Sequence, residues 1–254
     1  MTVLPESDFA GLDRAIDRVV RDRFRAVESP GILFSGGVDS SLLAWELREV
    51  PGLTLVTVGV PGSPDLAAAQ SAADRLTLRW CPLTVAPEEV HDIARRVEPE
   101  TRNASPTSRT VLVALACALA RSPVPELLCG QGVDELFLGY AHFRGLHAAE
   151  AARRVAVDLA RTRDDDGPRL RRIAGRFDRV VHAPFLDPEF VNAALAIPIE
   201  RRMPGPVPKA LFRRFAEHRG LPAELAARPK RAVQYGSGIE RALRMTGPRV
   251  DAPS

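Results

Sequence analysis

Ser35-Gly36-Gly37-Val38-Asp39-Ser40-Ser41 brings together the groups that hold a polyphosphate. Two adjacent glycines let backbone N–H groups turn toward an anion with no side chain in the way. The helix expected to start near Ser40 adds the positive end of its dipole. Ser35, Ser40 and Ser41 supply hydroxyl donors. Asp39 cannot be there to attract phosphate, because like charges repel. A carboxylate in such a cradle makes sense when it holds a magnesium ion that bridges phosphate oxygens. The segment is neither a Walker A loop nor the dinucleotide fingerprint, since the glycine and lysine spacings of both are missing. A plain helix cap would need one hydroxyl and no glycine pair.

The elements around this loop can be read from periodicity. Gly31 to Phe34 is a short apolar run that enters the glycine turn as a buried strand. Leu53 to Val60, Leu78 to Val85 and Glu126 to Cys129 are further strands, and the last runs into Gly130-Gln131-Gly132. Helices are expected over Asp8–Val27, Ser40–Val50, Pro64–Leu76, Pro87–Val97 and Thr110–Ala120. Strand and helix alternate, which predicts an α/β fold: a doubly wound parallel sheet covered by helices on both faces. Ligands on such sheets bind at the carboxyl ends of the strands. The glycine turns at Gly36–Gly37 and Gly130–Gly132 should therefore open on one crevice.

After Tyr140 only helices are expected: Ala141–Leu159, Pro188–Leu195, Pro208–His218 and Pro222–Ala226. The acidic run Asp164-Asp165-Asp166 sits among arginines and before Gly167-Pro168, so it reads as a solvated loop rather than a metal site. The organisation expected is one domain over 1–254. It has an N-terminal helix in 1–29, a nucleotide-binding core in 30–140, a mainly helical substrate side in 141–243 and a tail in 244–254.

The 254 residues carry 35 Lys plus Arg and 32 Asp plus Glu, a formal charge of +3. That suits an anionic small substrate and lacks the basic stripe of a dedicated nucleic-acid binder. No apolar run approaches the ~18 residues of a membrane span, and no signal peptide is evident. Cys81, Cys117 and Cys129 are odd in number and lack Cys-x-x-Cys spacing. They read as reduced, buried thiols of a cytoplasmic protein, with neither a zinc site nor a disulfide framework.

Ser-Gly-Gly-x-Asp-Ser-Ser resembles the loop of the ATP pyrophosphatase superfamily, the PP-loop proteins, which cleave ATP between the α and β phosphates. Further blocks follow in order. They are Val58-Gly59-Val60-Pro61-Gly62-Ser63-Pro64-Asp65, Leu128 to Tyr140, Pro184-Phe185-Leu186-Asp187, Lys209 with Arg213, and Arg228-Pro229-Lys230 followed by Gly236. In this order they resemble the synthetase domain of asparagine synthetases, over about residues 30 to 240. The resemblance implies ATP and Mg²⁺ as cofactors, with Asp39 and Asp134 as metal carboxylates. It also implies an adenine pocket lined by Leu33, Val58 and Gly130, with Lys230 over the reacting phosphate and carbonyl. A fixed ammonium there is worth most against developing negative charge. Glu135 is either a metal or supporting carboxylate or a helix cap. Lys209 and Arg213 share a helix face, and either steer phosphates or solvate that helix.

Three features depart from the pattern. No glutamine-hydrolysing domain precedes the first strand, so ammonia is expected from solution or from a separate glutaminase subunit. The family's Gly-Glu-Gly turn reads Gly130-Gln131-Gly132. Gln131 can hydrogen-bond near an acyl-adenylate but cannot act as a general base. Val180-Val181-His182-Ala183 lacks the family's usual Glu and Arg before Pro184. The expected activity is an AMP-forming amide ligase that joins a carboxylic acid, aspartate or a relative, to ammonia or another amine. The alternatives are a nucleotide-binding subunit without its own catalysis and a tRNA-modifying PP-loop enzyme. A homodimer is compatible with the sequence.

Overall fold

The computed structural model describes residues 9–203, 207–228 and 236–245. Five parallel strands form one sheet: β1 Gly31–Leu33, β2 Thr54–Gly59, β3 Trp80–Thr84, β4 Glu126–Leu128 and β5 Val180–His182, in the order β3-β2-β1-β4-β5. Register places Gly31 opposite Thr54 on β2 and opposite Leu127 on β4. Every residue of β2 is buried, as expected for a β-branched run covered on both faces. From β1 the chain crosses toward β2, and from β4 it crosses the opposite way toward β5. The winding therefore reverses between β1 and β4, and a crevice opens at their carboxyl ends.

Helices cover both faces. On one side the N-terminal helix, Val38–Glu46, Pro188–Leu195 and Ala210–His218 bury Leu12, Ile16, Leu42, Phe137, Phe190, Phe212 and Phe215. On the other, Pro87–Arg96, Pro106–Arg121, Gly167–Gly175 and Ile239–Arg244 bury Val90, Ile93, Leu112, Cys117, Ile173 and Ile239. Several helices open on proline in their first turn, where the missing N–H costs nothing. Ser105 caps Pro106–Arg121 by accepting from the Ser108 N–H at 3.1 Å, and Asp187 caps Pro188–Leu195 through the Glu189 N–H at 3.0 Å.

Three local expectations differ from the structure. The stretch after Tyr140 is not helical throughout, because Val180–His182 adds an edge strand to β4. Ala141–Leu159 is not one helix either. A 3₁₀ turn spans Ala141–Phe143, Gly145 takes φ +77°, and the helix proper runs Ala148–Arg161. The acidic run is not a loop. It forms a π-helical turn, Thr162–Asp166, that continues the helix into Gly167–Gly175. Pro168 explains the widened turn. Its ring excludes the ordinary bond to the carbonyl four residues back, and a π turn absorbs the mismatch without ending the helix. Its acids are taken locally: Asp164 by Arg163, Asp165 by Arg169, and Asp166 by the Ser108 hydroxyl at 3.0 Å. Cys117 and Cys129 are buried as expected, whereas Cys81 on β3 is only half-buried.

Candidate active site

The loop after β1 is held by its own serines. Ser40 Oγ accepts from the Ser35 N–H at 3.2 Å and donates to the Gly37 carbonyl at 3.2 Å, and the Gly37 N–H donates to Ser35 Oγ at 3.3 Å. Ser35 and Ser40 thus shape the turn, while the fully buried Ser41 hydroxyl has no hydrogen-bond partner among the described residues. Gly36 sits at φ +68°, and a Cβ there would meet the Ala68 carbonyl oxygen at 3.0 Å and the Arg228 guanidinium at 2.7 Å. Only glycine fits both the conformation and the space.

The turn after β4 closes on this loop. A Cβ at Gly130 would lie 2.9 Å from the Asp39 Cβ, so the two glycine turns touch across the crevice. Gly132, at φ +104°, backs onto the Phe185 carbonyl and the Leu186 side chain. Asp134 follows in the short helix Val133–Leu136. Leu33 and Val58 share one apolar cluster with Val60 and Ile239, at the β1 and β2 strand ends. The Val60 N–H donates to the Ser237 carbonyl at 2.9 Å, which draws the C-terminal stretch over that cluster.

At the centre stands Lys209. Its ammonium lies 2.5 Å from Asp39 Oδ2 and 2.9 Å from Asp134 Oδ1, with only 1% of its side chain exposed. Burial works against the charged form, but Asp134 and Asp39 outweigh it and raise the Lys209 pKa above the ordinary lysine value. Lys209 holds φ +58°, a left-handed backbone that costs a non-glycine residue about 1–3 kcal/mol. The two carboxylates gather the cation despite that strain. Asp39 Oδ1 is buried and accepts no hydrogen bond among the described residues, so the pair still offers an oxygen to a further cation. Among the described residues no group of three or more His, Cys, Asp and Glu gathers as a metal site. Two carboxylates and phosphate oxygens suit magnesium, which keeps few protein ligands.

Lys209 and Arg213 are both buried, so neither solvates its helix. Arg213 is buried and ties down the chain near the crevice. Its Nε donates to the Pro208 carbonyl at 2.9 Å, and its Nη1 to the carbonyls of Arg228, at 2.8 Å, and Ala226. Arg228 in turn donates to the Gly36 carbonyl at 3.3 Å. That contact was not legible in the sequence, where Arg228 stood only in the Arg228-Pro229-Lys230 block. Lys230 lies outside the described residues. Glu135 faces away from the carboxylate pair in its bonding. It accepts from Tyr140 Oη and Thr162 Oγ1, both at 2.7 Å. Burial, reinforced by Asp134, pushes its pKa up. Gln131 is half-buried, and its Oε1 lies 3.8 Å from the Cys129 thiol. His182, where the family's arginine is missing, engages Glu126 at 2.8 Å.

The fold and the crevice define an α/β nucleotide-site architecture with a loop, two carboxylates and a buried ammonium. The asparagine synthase family model matches residues 11–175 and 147–246, and the chain belongs to that family. A Methanocaldococcus jannaschii protein named as a glutamine-hydrolysing asparagine synthetase is 29% identical over 91% of this chain and 50% of its own length. Glutamine-hydrolysing asparagine synthetase B of Escherichia coli is 27% identical over 89% of this chain and 45% of its own. The Gallus gallus asparagine synthetase is 29% identical over 87% and 42%. The chain spans half or less of the length of these relatives. An NH3-dependent NAD synthetase from Campylobacter jejuni overlays with a TM-score of 0.37 at 15% identity, covering 89% of this chain and 98% of that one. Among the described residues no helix is long and apolar enough to cross a membrane.

Proposed function

We propose that this chain is the synthetase unit of an ATP-dependent, AMP-forming amide ligase. The observation that carries the reading is the Asp39–Lys209–Asp134 cluster, set between two glycine turns at the reversal of the sheet. In this reading an oxygen of the substrate carboxylate, from aspartate or a related acid, attacks the α-phosphorus of ATP. The bond to the β-phosphate breaks and pyrophosphate leaves. Ammonia or another amine then attacks the acyl carbon, the bond to AMP breaks, and the amine's proton goes to water.

The chain's own groups have defined tasks here. The amides around Gly36 and Gly37 hold the departing phosphates. The Lys209 ammonium neutralises charge that builds on them, in a site where the low dielectric magnifies the effect. Leu33, Val58 and the Gly130 backbone cover the adenine. Lys230 serves the reacting phosphate and carbonyl, and Gln131 hydrogen-bonds beside the acyl group. Asp39 and Asp134 would hold magnesium, which would supply positive charge to the pyrophosphate. The relatives are named for glutamine hydrolysis, and this chain matches half or less of each. A glutaminase could supply the ammonia.

ATP–pyrophosphate exchange tests the reading, with magnesium, across a panel of carboxylic acids, with and without ammonium. Exchange that requires an acid and falls at least ~100-fold in Asp39→Ala is the expected result. Nucleotide binding with no exchange for any acid would replace the ligase by a nucleotide-binding subunit.

A further inference from the structure

One residue past Gly130, the chain leaves the nucleotide side and faces a second space. Gln131 lines a pocket of about 280 Å³ between the N-terminal helix, the end of β5 and the helix that follows the π turn. That volume approaches the lower end of small-ligand sites, ~300 Å³. Phe24, Leu170 and Val181 form its apolar wall, and Arg23, Arg163 and Arg171 stand at its edge. Arg163, Leu170 and Arg171 share one helix face by their spacing, so a single element delivers both the apolar and the cationic parts.

The three guanidinium groups are not equally engaged. Arg163 grips Asp164 through two bonds, at 2.7 and 3.1 Å. Arg23 lies 3.6 Å from Asp187, a loose pair. Arg171 has no ion pair among the described residues. Asp187 is the one carboxylate that lines the pocket. Where the family turn carries glutamate, Gln131 is neutral, so no anion stands at the inner end to repel another. The pocket combines an apolar body, unspent positive charge and a neutral amide next to the nucleotide crevice.

We propose that this pocket seats the acid being activated, and that this acid carries an apolar chain of several carbons ending in a second anionic group. The proposal rests on the ligase reading above. The reacting carboxylate faces Gly130 and Gln131, the chain lies on Phe24, Leu170 and Val181, and the distal anion meets Arg171. Aspartate would leave the apolar wall unused.

The test compares propionate, aspartate and the linear eight-carbon diacid suberate in ATP–pyrophosphate exchange, in wild type and Arg171→Ala. Arg171 is exposed, so its removal does not threaten folding. Suberate should show a KM at least tenfold below those of aspartate and propionate. Arg171→Ala should raise the suberate KM about tenfold, the loss of a charge-assisted hydrogen bond, and leave the KM values for ATP and propionate unchanged. Suberate no better than propionate, or a variant that loses nothing, overturns the proposal. Calorimetric titration of suberate into protein saturated with a non-hydrolysable ATP analogue separates the two failures. If no acid supports exchange, suberate binding that Arg171→Ala abolishes keeps the pocket and removes the ligase, whereas no suberate binding removes the pocket.

Discussion

At Gly130 the backbone rests on a closed ionic cluster, and one residue later, at Gln131, it borders an open pocket. On the proposed nucleotide side the described charges pair within the protein: Lys209 engages Asp39 and Asp134, and Arg213 and Arg228 hold backbone carbonyls. On the proposed acceptor side Arg171 has no carboxylate partner among the described residues, and Arg23 has only a loose one. The first arrangement is assembled before its ligand arrives and keeps one carboxylate oxygen, Asp39 Oδ1, for a second cation. The second gains its ion pair only from a ligand. The contrast suits a two-substrate site in which ATP is constant and the acid is selected.

The largest effect should come from opening the closed side. Lys209→Met leaves two buried carboxylates facing each other without a cation. Breaking such a buried arrangement typically costs ~3–5 kcal/mol. Denaturant unfolding in metal-free buffer should show that loss, and magnesium added without nucleotide should recover a large part of it. The wild-type protein should respond far less to magnesium alone, because the ammonium already neutralises much of the pair's charge. An equal magnesium response in both proteins would break the distinction between a filled and an unfilled side.

The next effect locates the boundary between the two sides. Cys129 ends β4 immediately before the turn. Burial pushes its thiol up to about 11, partly offset by a hydrogen bond from the Gln131 backbone. Burial, helped by Glu89, pushes Cys117 up to about 12. The thiolate is the reactive form, so iodoacetamide at pH 8 should modify half-buried Cys81 first and the other two at least ~100-fold more slowly. Timed mass spectrometry reads this directly. The same shifts fix a pH dependence. The folded pKa values lie above the unfolded value of ~8.5, so folding binds more protons over that interval. Their contribution to stability is complete below ~8.5 and is lost as pH rises toward 11 and 12. Cys129 reacting as fast as Cys81 would mean that the acceptor side opens down to the strand.

The two sides were not equally legible in the sequence. Each glycine turn is a local signal at a strand end, and parallel winding brings strand ends together, so the Asp39–Asp134 crevice could be expected from order alone. The place of Lys209 could not. Its bond to Asp39 spans 170 residues, and one helical turn of spacing to Arg213 says nothing about burial. β5 was hidden because three residues at a sheet edge give too short a period to read. The π turn was hidden because Gly167-Pro168 ordinarily marks a break, and tertiary packing overrode it here. The pocket draws Arg23, Gln131 and Arg171 from three distant segments; Gln131 stands out in its glycine turn, but neither arginine carries a local pattern that would single it out.

The smallest effect is the one that tests the open side most selectively. Gln131→Glu changes one atom and places a carboxylate within the pocket that Arg171 borders. The new anion would compete with the substrate's distal group for that guanidinium and repel the reacting carboxylate. An exposed pair is worth at most about 1 kcal/mol, so the KM for suberate should rise by up to about fivefold. Neither the KM for ATP nor the metal response of the Lys209 cluster should move, because Gly130 separates Gln131 from Asp39. A lower KM for suberate in Gln131→Glu would contradict a cationic acceptor pocket. A raised KM for ATP would show that the two sides share their charges after all, and the contrast between them would have to be redrawn as one continuous site.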